Sequence, residues 1–251
     1  MTKLLTVIPF SKQDGALAEK LCDWIFFLNN RQSRGHALIV ASGDVHPEMA
    51  TKVQLAAEVA FETAAFITDK TSGIATQPKA ERINKMFLAA SNYVSTIFEW
   101  PFLWLEPDCV PLKPQWLEML FAAYEEQPKR YLGSVMKSVS KEKEEALFPS
   151  RVAIYPNNAA DDLRLLCNKP IPFNIAGAEL IMKMQTKCSL LQQFPLKDES
   201  DKEKIRPGAV LFHGDKKGQL IGLLRDELKP EPEVGEAIPI RSTARATRTA
   251  P

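Results

Sequence analysis

Apolar residues fall into two alternating rhythms along the first hundred positions. Leu4-Leu5-Thr6-Val7-Ile8 is a short, nearly continuous apolar run stopped by Pro9. Residues 14 to 28 follow, with Leu17, Leu21, Trp24, Ile25 and Leu28 on one helical face. The pair repeats as a strand run Ala37-Leu38-Ile39-Val40-Ala41 and a helical stretch from Glu48 to Val59. Ala64-Ala65-Phe66-Ile67-Thr68 predicts a third strand, residues 69 to 81 a loop, and Ala80 to Ser95 a helix striped by Ile83, Phe87, Ala90 and Val94. Phe102-Leu103-Trp104-Leu105 predicts a fourth strand that runs straight into Glu106-Pro107-Asp108. Strand and helix alternating in this way predict an α/β fold with a mainly parallel central sheet flanked by helices. Ligands of such sheets bind at the carboxyl ends of the strands. Ser11 to Asp14, Asp44, Asp69 and Glu106 to Asp108 are the polar strand ends, expected on one edge.

The second half is less regular. Pro114 to Glu125 predicts an amphipathic helix with Pro114 in its first turn. Tyr131 to Met136 and Arg151 to Tyr155 predict strands, Asp161 to Cys167 a short helix, and Ala209 to Phe212 a last strand ending at His213. Lys137 to Glu145 carries three basic and three acidic charges and reads as a solvated segment. After Leu228 large apolar residues almost vanish, so residues 229 to 251 are expected to form a flexible tail. Residues 1 to 228 then form one domain, with a ligand-binding half to residue 112 and a second half from 113.

Composition narrows the function classes. The chain has 32 Lys and Arg against 31 Asp and Glu, a formal charge of +1, which disfavours a non-specific nucleic-acid coat protein. The balance is uneven: residues 1 to 239 hold 29 basic and 31 acidic groups, and the last twelve residues add three arginines and no acid. The apolar run at the start is too short for a signal-peptide core, and no stretch approaches the ~20 apolar residues of a membrane span. Cys22, Cys109, Cys167 and Cys188 lie far apart without a CxxC pair, so a structural zinc is not expected and the expected location is cytoplasmic, with no membrane partner.

Glu106-Pro107-Asp108 carries the most chemical information. Its two carboxylates stand at i and i+2. At a strand end broken by proline, the chain can turn so that they meet one hard cation, Mn²⁺ or Mg²⁺. The plainer alternative is a surface turn in which Asp108 caps its own backbone. Downstream, Val210-Leu211-Phe212-His213-Gly214-Asp215-Lys216-Lys217-Gly218 places a histidine, two lysines and two glycines at the end of an apolar run. It is open to a reading as a hairpin turn with a partly buried histidine. His36 and His46 lack a partner pattern and read as surface or capping residues. GxSxG, a Walker loop and a GxGxxG after the first strand are all missing from the sequence, which sets aside triad hydrolases and Rossmann dehydrogenases.

The segment from Phe102 to Leu117 resembles the metal-site strand of GT-A glycosyltransferases, in which an apolar strand ends in a DxD-like motif followed by a P…W helix start. Glu106 stands where that family often has Asp. Val7-Ile8-Pro9-Phe10-Ser11 resembles its first strand and nucleotide loop, and the His213 to Gly218 patch its late His-Gly/Lys segment. The resemblance implies a nucleotide-sugar donor, a UDP-sugar first, and a metal held by Glu106, Asp108 and His213. It further implies donor contacts from Pro9, Phe10, Ser11, Asp44, Lys79, Arg82, Asn84, Glu106, Lys216, Lys217 and Gly218. Asp44 reads equally well as a cap for the helix after Pro47. The resemblance implies a catalytic role for Asp108, with Glu106 or Asp108 and His213 holding the ion on the donor diphosphate. Phe173-Asn174-Ile175-Ala176-Gly177-Ala178-Glu179 lies where the family shapes its acceptor pocket. Glu179, Asp161 and Asp162 are positional candidates for the carboxylate base of an inverting enzyme, the last two also reading as helix caps.

Short enzymes of this pattern occur among bacteriophage glycosyltransferases that decorate hydroxymethylated pyrimidines in double-stranded DNA. That resemblance implies a DNA acceptor in the host cytoplasm, with the Ile240 to Pro251 arginines as a phosphate-contacting arm. A saccharide or protein acceptor stands beside it. A nucleotidyltransferase is the remaining alternative, but it would carry a Gly-rich loop after the first strand, and residues 9 to 15 contain only Gly15.

Overall fold

The computed structural model describes residues 3–29, 35–74, 77–139 and 145–228. The tail after Leu228 and its arginines lie outside these residues. Strands β1 (Leu5–Phe10), β2 (His36–Ser42), β3 (Thr63–Asp69) and β4 (Phe102–Trp104) alternate with helices α1 (Gly15–Leu28), α2 (Pro47–Ala60) and α3 (Lys79–Ile97). The four strands lie parallel in the order β3-β2-β1-β4, in register from Leu5↔His36 and Leu5↔Phe102. The sheet then continues with β7 (Glu145–Tyr155), β6 (Tyr131–Val139) and β8 (Gln185–Lys187). Of these, β7 runs antiparallel to both β4 and β6, and β8 parallel to β6. The expected mainly parallel α/β sheet is therefore present.

Apolar runs form these strands because both faces are covered. Leu5, Val7, Leu38, Val40, Phe102 and Trp104 pack with Met86, Phe87, Ala90 and Val94 of α3. Leu4, Ile8, Phe10 and Ile39 pack on the other face with Leu21, Trp24 and Ile25 of α1 and with Val53 and Ala57 of α2. A small second sheet, β5 (Cys109–Pro111), β10 (Leu211–His213) and β9 (Leu191–Gln193), shares that second core. Its β5 is tied to α1 by the Trp24 indole N–H, which donates to the Pro111 carbonyl at 2.8 Å.

Pro9 does not stop β1, which continues to Phe10. The Leu5 N–H points to the β4 side, donating to the Pro101 carbonyl, and the position of Pro9 has the same parity. The β1–β4 ladder has ended at Val7↔Trp104, so the missing N–H of Pro9 breaks no bond. Pro114 likewise does not open a helix: α4 (Trp116–Glu125) starts after Gln115, whose φ of 59° is left-handed. Lys137 to Glu145 is not simply a solvated segment, because β6 runs to Val139 and β7 starts at Glu145, paired with each other; residues 140 to 144 lie outside the described part. Helices α5 (Ala159–Cys167), α6 (Phe173–Ala176), α7 (Ala178–Met184) and α8 (Gln219–Glu227) complete the chain, with a 3₁₀ turn at Glu199–Lys204. No helix among the described residues is long and apolar enough to cross a membrane.

Candidate active site

The Leu105 N–H still donates to the Val7 carbonyl at 2.8 Å, so the β1–β4 ladder ends where the carboxylates begin. The Cys109 N–H bonds back to the Glu106 carbonyl at 2.9 Å and closes a turn around Pro107. Both carboxylates reach one spot, beside His213. The third member arrives from far downstream: β10 lies antiparallel to β5 with His213 opposite Cys109. Backbone N–H groups of Gly214 and Asp215 donate to the Asp108 carbonyl at 3.1 and 3.0 Å, locking the two segments together.

His213 Nε2 lies 3.1 Å from Asp108 Oδ1 and 3.2 Å from Glu106 Oε2. Two ligands of a small octahedral cation, each at about 2.1 Å, stand about 3 Å apart along an edge, so this spacing fits a divalent ion. Ligand atoms of Asp108, Cys109 and His213 all fall within 4.8 Å of one another. The Cys109 thiol is a poor partner for a hard ion: burial first, then the charges of Asp108 and Glu106, push it well above its ordinary pKa. Burial alone would lower the His213 pKa, but hydrogen bonds to Asp108 and Glu106 outweigh it and raise the value to about 9. Its Nε2 is shared between the two carboxylates. Its Nδ1 is buried without a hydrogen-bond partner among the described residues.

Glu106 is also gripped from the other side. Arg151 Nε donates to Oε1 at 2.5 Å and Nη2 to Oε2 at 3.1 Å, a forked pair. Burial raises the Glu106 pKa, while the Arg151 charge and the His213 hydrogen bond more than reverse this and hold it well below the carboxylate range. Arg151 is aimed here by a β-bulge. Pairing resumes as Gly133↔Ala153 and Val135↔Pro149, so β7 places Ser150, Arg151 and Val152 opposite Ser134 alone. Bulges re-aim side chains next to functional sites.

Two cavities open beside this cluster, of about 250 and 290 Å³. The first is walled by Pro9 and Phe10 at the end of β1 and Asp14 after it, by Lys79, Ile83 and Met86 of α3, and by Trp104. The buried indole N–H of Trp104 has no partner among the described residues. The second is walled by Met136, Phe148, Asn174, Ile175, Gln193 and Phe194. Glu106, Asp108, Arg151 and Lys216 line both. Asn174 Nδ2 donates to the Pro149 carbonyl at 2.8 Å, whereas Asn174 Oδ1 and Gln193 Oε1 are buried and unpartnered among the described residues.

Several expected residues lie elsewhere. Ser11 turns back on Asp14, its hydroxyl donating at 2.6 Å, and is not in the cavity lining. Asp44 pairs with Arg82 at 3.0 Å and accepts from the Ser42 hydroxyl; neither Asp44 nor Arg82 lines either of these two cavities, and the cap of α2 is His46. Asn84 is buried: its amide donates to the Lys169 and Ile171 carbonyls and its oxygen accepts from the Phe173 N–H, so it holds the chain before α6 rather than a ligand. Lys217 is exposed and outside both linings. Gly218 has its N–H on the Asp215 carbonyl and its carbonyl on Lys20 Nζ, so its backbone is not free for phosphate. Gly214 is required by packing, since a Cβ there would stand 2.0 Å from the Phe194 carbonyl oxygen. Glu179 points to solvent beside Lys183 on α7. Asp161 is exposed in the first turn of α5, and Asp162 accepts the Tyr131 hydroxyl at 2.7 Å and pairs with Arg130. None of these three carboxylates reaches the cluster. Arg151 and Gln193 were not among the expected residues: a single arginine at the head of an apolar run and a lone glutamine carry no local signal.

A mainly parallel sheet flanked by helices on both faces is the GT-A fold, and the chain has it; here its inner strand ends in a carboxylate pair met by a histidine from β10. Solved structures agree. One is the galactosyltransferase LgtC in complex with donor and acceptor sugar analogs, with 11% identity over 91% of this chain and 98% of that one, at a TM-score of 0.56. Another is the glycosyltransferase GlyE in Streptococcus pneumoniae TIGR4, 12% identical over 90% of this chain and 61% of that one, at 0.51. A third is mouse xyloside xylosyltransferase 1 in its apo form, 9% identical over 84% and 97%, also at 0.51. No protein-family model and no curated protein sequence matches the chain.

Proposed function

We propose that this protein is a metal-dependent glycosyltransferase that moves a sugar from a nucleotide-sugar, a UDP-sugar first, to a hydroxyl acceptor. The observation that carries this is the meeting of Asp108 and His213 at the carboxyl end of β4, between two cavities that share a wall. In this reading Asp108 and His213 hold the ion, with Glu106 behind them. A bound divalent ion supplies positive charge to the diphosphate as it departs. Lys216, on both walls, adds a cation there. Pro9, Phe10 and Lys79 form the donor side. The bond between the anomeric carbon and the diphosphate oxygen breaks, and the acceptor oxygen bonds to that carbon.

The acceptor proton needs a destination. Apart from Glu106 and Asp108, no carboxylate lines the second cavity among the described residues. An inverting transfer needs a carboxylate base there, so the lining favours retention, with the departing diphosphate oxygen taking the proton. NMR of the product is expected to show an unchanged anomeric configuration. An inverted product would require a base beyond this lining.

A saccharide acceptor suits the second cavity, whose wall combines the amides Asn174 and Gln193 with Phe148 and Phe194. The finer reading, a hydroxymethylated pyrimidine in phage DNA, is supported by sequence resemblance and by arginines outside the described residues. Thermal shifts with UDP-, GDP- and dTDP-sugars, with and without Mn²⁺, test the class. A Mn²⁺-dependent shift with one donor, lost in Asp108→Ala, is expected; no shift with any donor overturns the proposal. Mass-shift assays on oligosaccharides and on hydroxymethyl-DNA then separate the acceptors.

A further inference from the structure

Glu106 has little left to offer an ion. Both its oxygens are taken by the Arg151 fork, and the two side chains are only 12% and 22% exposed. The bulge in β7 aims Arg151 at Glu106, and the Tyr155 hydroxyl fixes the Arg151 carbonyl at 2.9 Å. Pulling Glu106 away would strand two poorly solvated charges. The cluster thus presents one carboxylate outside the arginine fork, Asp108, and one imidazole. Affinity for a hard divalent ion rises with the number of charged oxygens around it, so these two groups make a weak shell on their own.

We propose that Arg151 is a positioning residue that neutralises Glu106 and makes ion binding depend on the diphosphate of the nucleotide. Charged oxygens missing from the protein shell come from the ligand, so ion and nucleotide each tighten the other's binding by the same factor. This rests on reading the site as a metal and nucleotide-sugar site, and it adds a role for a side chain that acts through Glu106.

Titration of the full-length protein with Mn²⁺, counting free ion by electron paramagnetic resonance with and without UDP, is the test. Wild type is expected to bind Mn²⁺ weakly alone and at least about tenfold more tightly with UDP. Arg151→Met exposes the Glu106 charge and is expected to tighten nucleotide-free Mn²⁺ binding by about tenfold or more. Glu106→Gln with Arg151→Met removes the pair together, leaves no buried unpaired charge, and is expected to restore weak binding alone and the UDP effect. Arg151→Met no tighter than wild type overturns the proposal. So does a double variant that loses UDP-dependent Mn²⁺ binding as fully as Asp108→Asn, because Glu106 would then be a ligand. Should Arg151→Met fail to melt cooperatively, the double variant decides alone. Wild type that binds UDP with Mn²⁺ while Arg151→Met is unshifted removes this proposal only; wild type that binds neither removes the reading of the site as well.

Discussion

Asn84 spends every polar atom of its side chain on three backbone groups of a distant segment: the Lys169 and Ile171 carbonyls and the Phe173 N–H. Asn84→Ala strands all three, and is expected to cost about 2–4 kcal/mol, read from the urea midpoint. Asp108→Ala should do the reverse, leaving the urea midpoint nearly in place while turnover of the nucleotide-sugar falls about 10²–10³-fold. Glu179→Gln should change neither, since Glu179 faces solvent with Lys183. These residues also mark how far the sequence could be read. Asp108 and His213 are legible because a polar residue ending an apolar run must sit at a strand end. Asn84 is not, because an asparagine in a basic helix start looks the same whether it meets a ligand or a loop 85 residues away. Asn174 lay inside a stretch marked for the acceptor side, but the break at Gly177 between α6 and α7 turns Glu179 outward and leaves Asn174 at the cavity.

At the scale of elements, α8 depends on a residue outside it. Asp215 is buried, and its carboxylate accepts the Gln219 and Leu220 N–H groups at 2.8 and 2.9 Å, capping the helix while its own N–H holds the Asp108 carbonyl. Asp215→Ala is expected to cost about 1–2 kcal/mol and to raise KM for the donor, because Lys216 loses its anchor. The 3₁₀ turn has a similar hinge in Asp201, which takes the Lys197 N–H at 2.7 Å and Lys204 Nζ at 2.5 Å. The Lys204 hydrogen bond, followed by the Lys197 N–H, lowers its pKa from 3.8 to about 2. A depressed carboxylate stabilises the fold above its unfolded pKa and loses that contribution as pH falls toward the folded one. Asp201→Asn should therefore melt below wild type at neutral pH, with the gap closing between pH 4 and 2 in a pH series of thermal melts. The four parallel strands were legible as apolar runs buried on both faces. The three-residue strands β5, β8 and β9 were not, since three positions cannot display a period.

At the scale of the whole molecule, near-neutrality hides an uneven distribution. The acidic excess lies before residue 240, while the cavities concentrate charges of both signs within one cluster, held by hydrogen-bonded pairs. The large sheet brings Arg151 to this cluster from β7, and the small β5-β10-β9 sheet brings His213 from β10. Trp24 and the shared core tie the two together. This explains why a fold can be shared at 9–12% identity: burial on both sheet faces sets the architecture, and few positions set the chemistry.

The antiparallel pairing of His213 with Cys109 also sets a timetable. His213 follows Asp108 by 105 residues, which at bacterial-to-eukaryotic synthesis rates is about 5–20 s of translation. A growing chain holds β1 to β4 and both carboxylates for that interval before the strand that completes the cluster has been made. Any chain ending before Leu211 lacks the partner of β5 and the histidine together. Such a fragment carries the carboxylates without their imidazole, so incomplete products of synthesis cannot act as slow versions of the finished protein.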